Sequence, residues 1–402
     1  MKEGWRTESL ADLSEVFADG DWIESKDQSP QGIRLIQTGN IGIGDFKNRA
    51  DKARYISEAT FKRLRCTEIF EGDCLISRLP EPVGRSCILP DIGSRMITGV
   101  DCTIVRFDQS RMLPQFFIYY SESQAYVAAV DSETTGTTRS RISRSRLGQT
   151  PTLVPPLSEQ QRIVAILDDA FERIATATAD VEKNIKNARA IFESHLDFVF
   201  TQRRDGWVDA ALGEVCRIAR GGSPRPIKDY LTVDPDGINW VKIADATASG
   251  KYIYETKERI IPDGARRSRM VHDGDFLLSN SMSFGHPYIM RTSGCIHDGW
   301  LVLTEYASRL NQDYLYYLLG SSFMYEQFDQ LAAGSTVRNL NIELASRVEI
   351  PIPPLERQQE IARLFDAMSH EIERLQSIYQ RKLDALDALK QSLLHHAFSG
   401  QL

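Results

Sequence analysis

Hydroxyl and guanidinium side chains alternate through one short stretch, Thr137-Thr138-Arg139-Ser140-Arg141-Ile142-Ser143-Arg144-Ser145-Arg146. Arginines neutralise phosphate oxygens, while hydroxyl, amide and guanidinium groups can also address base edges, so the segment suits the edge of a nucleic-acid site. A solvated loop is the alternative for the same residues. A matching stretch near the end of the chain, Ser335-Thr336-Val337-Arg338-Asn339, is less basic. A Gly- and Pro-rich loop carries Arg220, Ser223, Arg225 and Lys228, with Arg225 its best single candidate. Lys242 follows Trp240 on a predicted strand, where an ordinary exposed lysine is the plainer account. Ser279, Asn280, Ser283 and His286 form a polar loop after an apolar run, and Ser77 and Arg78 hold the equivalent place earlier in the chain; turn formation alone would also account for them.

Other chemistry lacks its signatures. The sequence contains no Gly-x-x-x-x-Gly-Lys-Ser/Thr phosphate loop, no Gly-x-Gly-x-x-Gly after a strand and no Gly-x-Ser-x-Gly elbow. Pro262-Asp263 and Glu255-Thr256-Lys257 stand in the wrong order for a carboxylate-plus-lysine metal site. The seven histidines, His395-His396 among them, show no metal-ligand spacing, and the six cysteines (Cys66, Cys74, Cys87, Cys102, Cys216, Cys295) include no Cys-x-x-Cys pair. No metal or other cofactor is expected, and the cysteines read as buried free thiols. No apolar run approaches the roughly 18 to 20 residues that span a bilayer, so the chain is expected to be soluble and cytoplasmic. Its net charge of -7 argues against a wholly basic surface, but acidic residues crowd two helical stretches and leave room for a local positive field.

The elements that must position these residues come twice. Pro155-Pro156-Leu157-Ser158-Glu159-Gln160-Gln161 recurs as Pro353-Pro354-Leu355-Glu356-Arg357-Gln358-Gln359, at an offset of 198 from Leu157 to Leu355, and Gly136-Thr137-Thr138 matches Gly334-Ser335-Thr336 at the same offset. Gly4-Trp5 matches Gly206-Trp207, and Gly72-Asp73 matches Gly274-Asp275, both at 202, while Ile33 to Asn40 resembles Ile238 to Asp245 at 205. The drifting offset places insertions inside the repeat unit.

After each Pro-Pro a long helix is predicted, with Ser158 and Gln161 as a capping pair and Glu159 or Glu356 at the positive end of the dipole. Apolar or small residues then recur in steps of mostly four and three: Ile163, Leu167, Ala170, Ile174, Ala177, Val181, Ile185, Ala188, Phe192 and Leu196 in the first helix. The second reads Ile361, Phe365, Met368, Ile372, Leu375, Tyr379, Leu383, Leu386, Leu389 and Leu393. These are coiled-coil seams, and the first helix would be on the order of 64 Å long. Paired with each other, antiparallel, the two would hold their domains apart. The alternative is separate packing of each helix into a core. The fold class is therefore α+β: residues 1–152 and 203–351 as two loop-rich mixed α/β domains, and residues 153–202 and 352–402 as long helices joining them, in a pseudo-two-fold repeat.

Arg217-Ile218-Ala219-Arg220-Gly221-Gly222-Ser223-Pro224-Arg225-Pro226, then Gly237-Ile238-Asn239-Trp240-Val241-Lys242-Ile243-Ala244-Asp245, resembles a target recognition domain of a type I restriction-modification specificity subunit. Glu71-Gly72-Asp73-Cys74-Leu75-Ile76-Ser77-Arg78, Pro82-Val83-Gly84-Arg85 and the two Pro-Pro-Leu-x-x-Gln-Gln motifs extend the resemblance over almost the whole chain. The first half departs from the wording of the second, with Gly20-Asp21-Trp22 and Leu35-Ile36-Gln37-Thr38-Gly39-Asn40 in place of Gly-Gly-Ser-Pro-Arg and Trp-Val-Lys. The resemblance implies a non-catalytic subunit that reads a split site in double-stranded DNA, joins two methyltransferase subunits and, in the full complex, restriction subunits. The rival from another class is a coiled-coil scaffold that tethers enzymes without DNA specificity. The DNA-binding residues expected are Arg78, Thr138, Arg139, Arg141, Arg144, Arg220, Ser223, Arg225, Lys242, Asn280, Ser283, Thr336, Arg338 and Asn339.

Overall fold

The computed structural model describes residues 4–136, 140–202, 205–281, 284–332 and 339–402. They form two compact units, Met1–Val181 with Gln380–Leu402, and Glu182–Tyr379. In the first, a strand at Arg6–Ser9 pairs antiparallel with Pro151–Val154, closing the domain on itself. Between them lies an antiparallel sheet in the order Ser14–Asp19, Cys102–Phe107, Cys74–Ser77, Ser86–Ile88. A mixed sheet follows the order Gln28–Ser29, Arg54–Ile56, Ile33–Ile36, Met96–Thr98, Glu68–Ile69, its third and fourth strands parallel.

The second unit repeats this path. Val208–Ala211 pairs with Glu349–Ile352; one sheet runs Arg217–Arg220, Trp300–Thr304, Phe276–Ser279, Pro287–Met290. The other runs Leu231–Thr232, Glu258–Ile260, Ile238–Val241, Gly294–Ile296, Arg269–Val271, again with a central parallel pair. After an inserted helix, Ile243–Ser249, the strand Tyr252–Ile253 pairs parallel with Pro287–Met290 and extends the first of these sheets in this unit. The repeat legible in the sequence is thus a repeat of topology.

Landmarks shared by the halves have local causes. In Gly72-Asp73 the glycine has φ 85° and the aspartate accepts from Phe70 N at 2.9 Å; in Gly274-Asp275 φ is 88° and Asp275 accepts from His272 N at 2.8 Å. The pair is a turn that delivers the chain into a strand buried on both faces, Cys74–Ser77 or Phe276–Ser279, whose apolar run follows from having no wet side.

The long helices are α1, Leu157–Thr201, and α2, Leu355–Ser399. Gln160 and Gln358, both fully buried, anchor their starts identically. Gln160 Nε2 donates to Arg111 O (2.8 Å) and Pro155 O (2.9 Å), and its Oε1 accepts from Leu113 N (2.8 Å). Gln358 Nε2 donates to Arg309 O (2.9 Å) and Pro353 O (2.8 Å), with Oε1 accepting from Asn311 N (2.7 Å). These bonds occupy every donor and acceptor class of the amide in a dry site, which explains the glutamine of the repeated motif. The expected capping pair of Ser158 and Gln161 is not the anchor, since Ser158 already lies in the first helical turn.

In the first unit Ile163 and Leu167 of α1 share a core with Leu394, Ala397 and Phe398 of α2. In the second, Leu196 and Phe200 of α1 share one with Ile361, Ala362 and Phe365 of α2. Start packs with end in each unit, so the helices run antiparallel. Leu389 departs from the predicted seam: it is 48% exposed, and Lys390 takes the inward direction, its amine on Glu122 (2.7 Å) and over the Phe171 ring. Two consecutive steps of three, 383 to 386 to 389, rotate a position off a stripe that needs three and four in alternation. No helix among the described residues is long and apolar enough to cross a membrane. All six cysteines are buried and free, and burial pushes the Cys87 and Cys102 thiols up to about 12.

Candidate functional site

In each domain the two sheets meet at the glycine that follows a strand, Gly20 after Ser14–Asp19 and Gly221 after Arg217–Arg220. A Cβ on Gly20 would stand 2.4 Å from Gly99 O, and one on Gly221 would stand 2.1 Å from His297 O, so only glycine permits the approach. Beside this junction the central parallel pair ends, and a cleft opens between the strand ends and the loop that follows the glycine.

In the second domain the cleft measures about 510 Å³ and is lined by Ser223, Arg225, Trp240, Lys242, His297 and Asp298 among others. Asp298 is its hub. Its Oδ1 accepts from Ser223 Oγ at 2.5 Å, its Oδ2 lies 3.3 Å from Arg225 NH2, and its carbonyl accepts from Arg220 Nε (2.8 Å) and Asn280 Nδ2 (3.1 Å). The Ser223 hydroxyl, opposed by partial burial and aided by His297 and Arg220, holds the Asp298 carboxyl below the usual carboxylate range. Burial pushes the His297 imidazole below its ordinary value, and Lys242 adds to this against the pull of Asp298. His297 Nδ1 accepts from Gly299 N at 2.9 Å, so the neutral ring carries its proton on Nε2 and offers a donor. Lys242 stands just past the end of the strand Ile238–Val241, correcting its predicted place on it, and its amine lies 2.6 Å from Glu258.

Exposed Arg266, Arg267 and Arg269 add a basic rim beside Gly222. Arg269 Nε donates to Arg220 O at 2.7 Å. Three arginines within four residues are a signal already present in the sequence. His297 and Asp298 carried none: they are remote in sequence from the loop they organise.

The equivalent cleft of the first domain, about 240 Å³, is lined by Trp22, Gln37, Thr38, Val100 and Asp101 among others, and Trp22 is 70% exposed. Arg78 takes the place of Asn280. Both side chains are buried, which turns two expected base contacts into wall supports: Arg78 NH2 donates to Val100 O and lies 3.3 Å from Asp19. The basic segment also folds back on acids, with Arg141 2.9 Å from Asp101 and Arg144 4.0 Å from Asp19. Arg85 ties the loops together, donating to Thr38 O, Ile41 O, Leu79 O and Pro82 O at 2.7 to 2.9 Å.

The structure thus gathers Arg220, Ser223, Arg225 and Asn280 around one residue, with Lys242 on the same cleft, and Arg78, Arg141 and Arg144 around another set of acids. Asn339 bridges to Ser281 and is half-buried. Thr138, Arg139, Ser283, Thr336 and Arg338 lie outside the described residues. Among the described residues no group of three or more His, Cys, Asp or Glu side chains is placed to hold a metal ion. The arrangement can offer fixed donors and positive charge to an anionic, hydrogen-bonding ligand.

The profile of the type I restriction modification DNA specificity domain matches residues 2–187 and 204–380. The MjaX type I restriction enzyme specificity subunit of Methanocaldococcus jannaschii is 21% identical over all of this chain and 94% of its own length. The MjaVIII specificity subunit of the same organism is 22% identical over 75% of this chain and 73% of itself. Among solved structures, a chain from work on complex assembly and conformational transition of the type I R-M system superposes with a TM-score of 0.80 at 21% identity, covering 100% of this chain and 99% of that one. The HsdS subunit from Thermoanaerobacter tengcongensis gives 0.58 at 20% identity, covering 100% and 98%.

Proposed function

For a chain that belongs to the type I restriction modification DNA specificity domain family, as this one does over most of its length, we propose that each domain reads one half of a bipartite site in double-stranded DNA. The helices α1 and α2 space the halves and dock two methyltransferase subunits, which restriction subunits join in the full complex. The chain is the reader, and chemistry belongs to its partners.

One observation carries the reading: two domains of the same topology place a cleft at the same junction and line it with different side chains, Trp22, Gln37 and Thr38 in one, Arg225, Lys242 and His297 in the other. A shared frame with divergent polar linings is what two half-sites of different sequence require. A scaffold without DNA specificity has no use for it. The family membership and the absence of cofactor motifs from the sequence support the same division of labour.

The purified chain is expected neither to methylate nor to cleave DNA, and to copurify with two copies of a methyltransferase subunit. Stable methylation by the chain alone, or a complex saturated by one methyltransferase, would contradict this.

A further inference from the structure

We infer that Asp298 is a specificity-determining residue that holds Arg225 for a guanine in the half-site read by the second domain; this rests on the reading role proposed above. Arg225 projects outward, with 81% of its side chain exposed, yet one end of its guanidinium is tethered to Asp298. The tether is itself fixed. Ser223 grips the other carboxylate oxygen, and the Asp298 carbonyl is held by Arg220 and by fully buried Asn280. An aspartate held at one carboxylate oxygen by Ser223 and at its backbone carbonyl by Arg220 and Asn280 sets the direction of the arginine it holds.

The pairing also decides which ligand atoms suit that arginine. A guanidinium beside a carboxylate has part of its charge compensated and is a weaker phosphate ligand, but its remaining N–H groups stay in a fixed plane. In the major groove guanine presents two acceptors side by side, N7 and O6. Adenine presents an acceptor and a donor, cytosine a donor, thymine one acceptor. An all-donor fork matches guanine. Arg220 and Arg269 differ, because both donate to backbone carbonyls rather than to a carboxylate oxygen, which leaves them better suited to phosphates. In the first domain the position equivalent to Asp298, two residues before the strand Cys102–Phe107 as Asp298 is before Trp300–Thr304, is Val100, so the device belongs to the second half alone.

The test uses the complex with its methyltransferase subunits, its selected duplex, and duplexes changed at each base pair of the second half-site. Arg225→Ala should relax preference at one G·C pair by about tenfold, in the range of a bidentate arginine contact. Asp298→Asn and, separately, Ser223→Ala should relax it at the same pair by about three- to tenfold. The other half-site and the salt slope should not change. Replacing that guanine by 7-deazaguanine, which lacks the N7 acceptor, should weaken the unaltered complex and leave Arg225→Ala unaffected. Ser223→Ala retains the Asp298 side chain but removes its hydroxyl grip, and covers the case in which Asp298→Asn does not fold. Preference retained in both Asp298→Asn and Ser223→Ala, or relaxed at a pair without guanine, overturns the assignment. Uniform weakening with a salt slope lowered by about one unit overturns it in favour of a phosphate contact. An unaltered complex that prefers no sequence overturns the reading role itself, a result distinct from the others.

Discussion

Arg78 in the first domain and Asn280 in the second follow the same central strand, are both buried, and both donate to the carbonyl of the same structural position, Val100 or Asp298. Around that common contact the domains diverge. The first surrounds it with ion pairs, Arg78 with Asp19 and Arg141 with Asp101, and an exposed Trp22. The second surrounds it with hydrogen bonds converging on one aspartate. Buried polar anchors fix the frame because an unpaired group inside costs too much to vary freely, whereas rim residues can change without that penalty. The halves can therefore keep one fold and present different chemistry.

The comparison breaks first, if it breaks, at Arg85. Its guanidinium satisfies four carbonyls that bind two loops of the first domain together, while His286, next to the matching Gly285, is exposed. Arg85→Ala should cost about 3 kcal/mol in denaturant unfolding, and His286→Ala less than about 0.5 kcal/mol. Equal costs would mean that both domains brace their loops in the same way.

The helix anchors should behave oppositely, as equals. Gln160→Ala and Gln358→Ala each strand a buried N–H and two carbonyls, and each should cost about 2 kcal/mol. Values differing by more than about 1 kcal/mol would show that the matched hydrogen bonds sit in energetically different settings.

Local regularities were legible in the sequence. The Pro-Pro-Leu-x-x-Gln-Gln repeat, the Gly-Asp turns and most of the heptad seam depend on residues within a few turns of one another, and they appear in the structure where the spacing placed them. Leu389 misled because a leucine suits either face of a helix, and only the count of steps distinguishes Lys390 as the inward position. The site was legible in part. Arg220, Ser223 and Arg225 stood together in a loop, but their organiser, Asp298, arrives from 73 to 75 residues away for Arg225 and Ser223. Long-range pairing of that kind is set by the sheet junction at Gly221, and no periodicity announces it. Arg78 and Asn280 misled for the opposite reason, because a polar residue after an apolar strand reads as surface until the fold buries it.

The most direct measurement is selection of bound sites from a random duplex pool by the chain together with the methyltransferase subunits proposed as its partners. Two specified blocks of unrelated sequence, separated by a fixed run of unspecified base pairs, are predicted, with Asp298→Asn changing one block and leaving the other intact. A single contiguous block, enrichment of no sequence, or changes in both blocks from that one substitution would contradict two domains reading independently on a common frame.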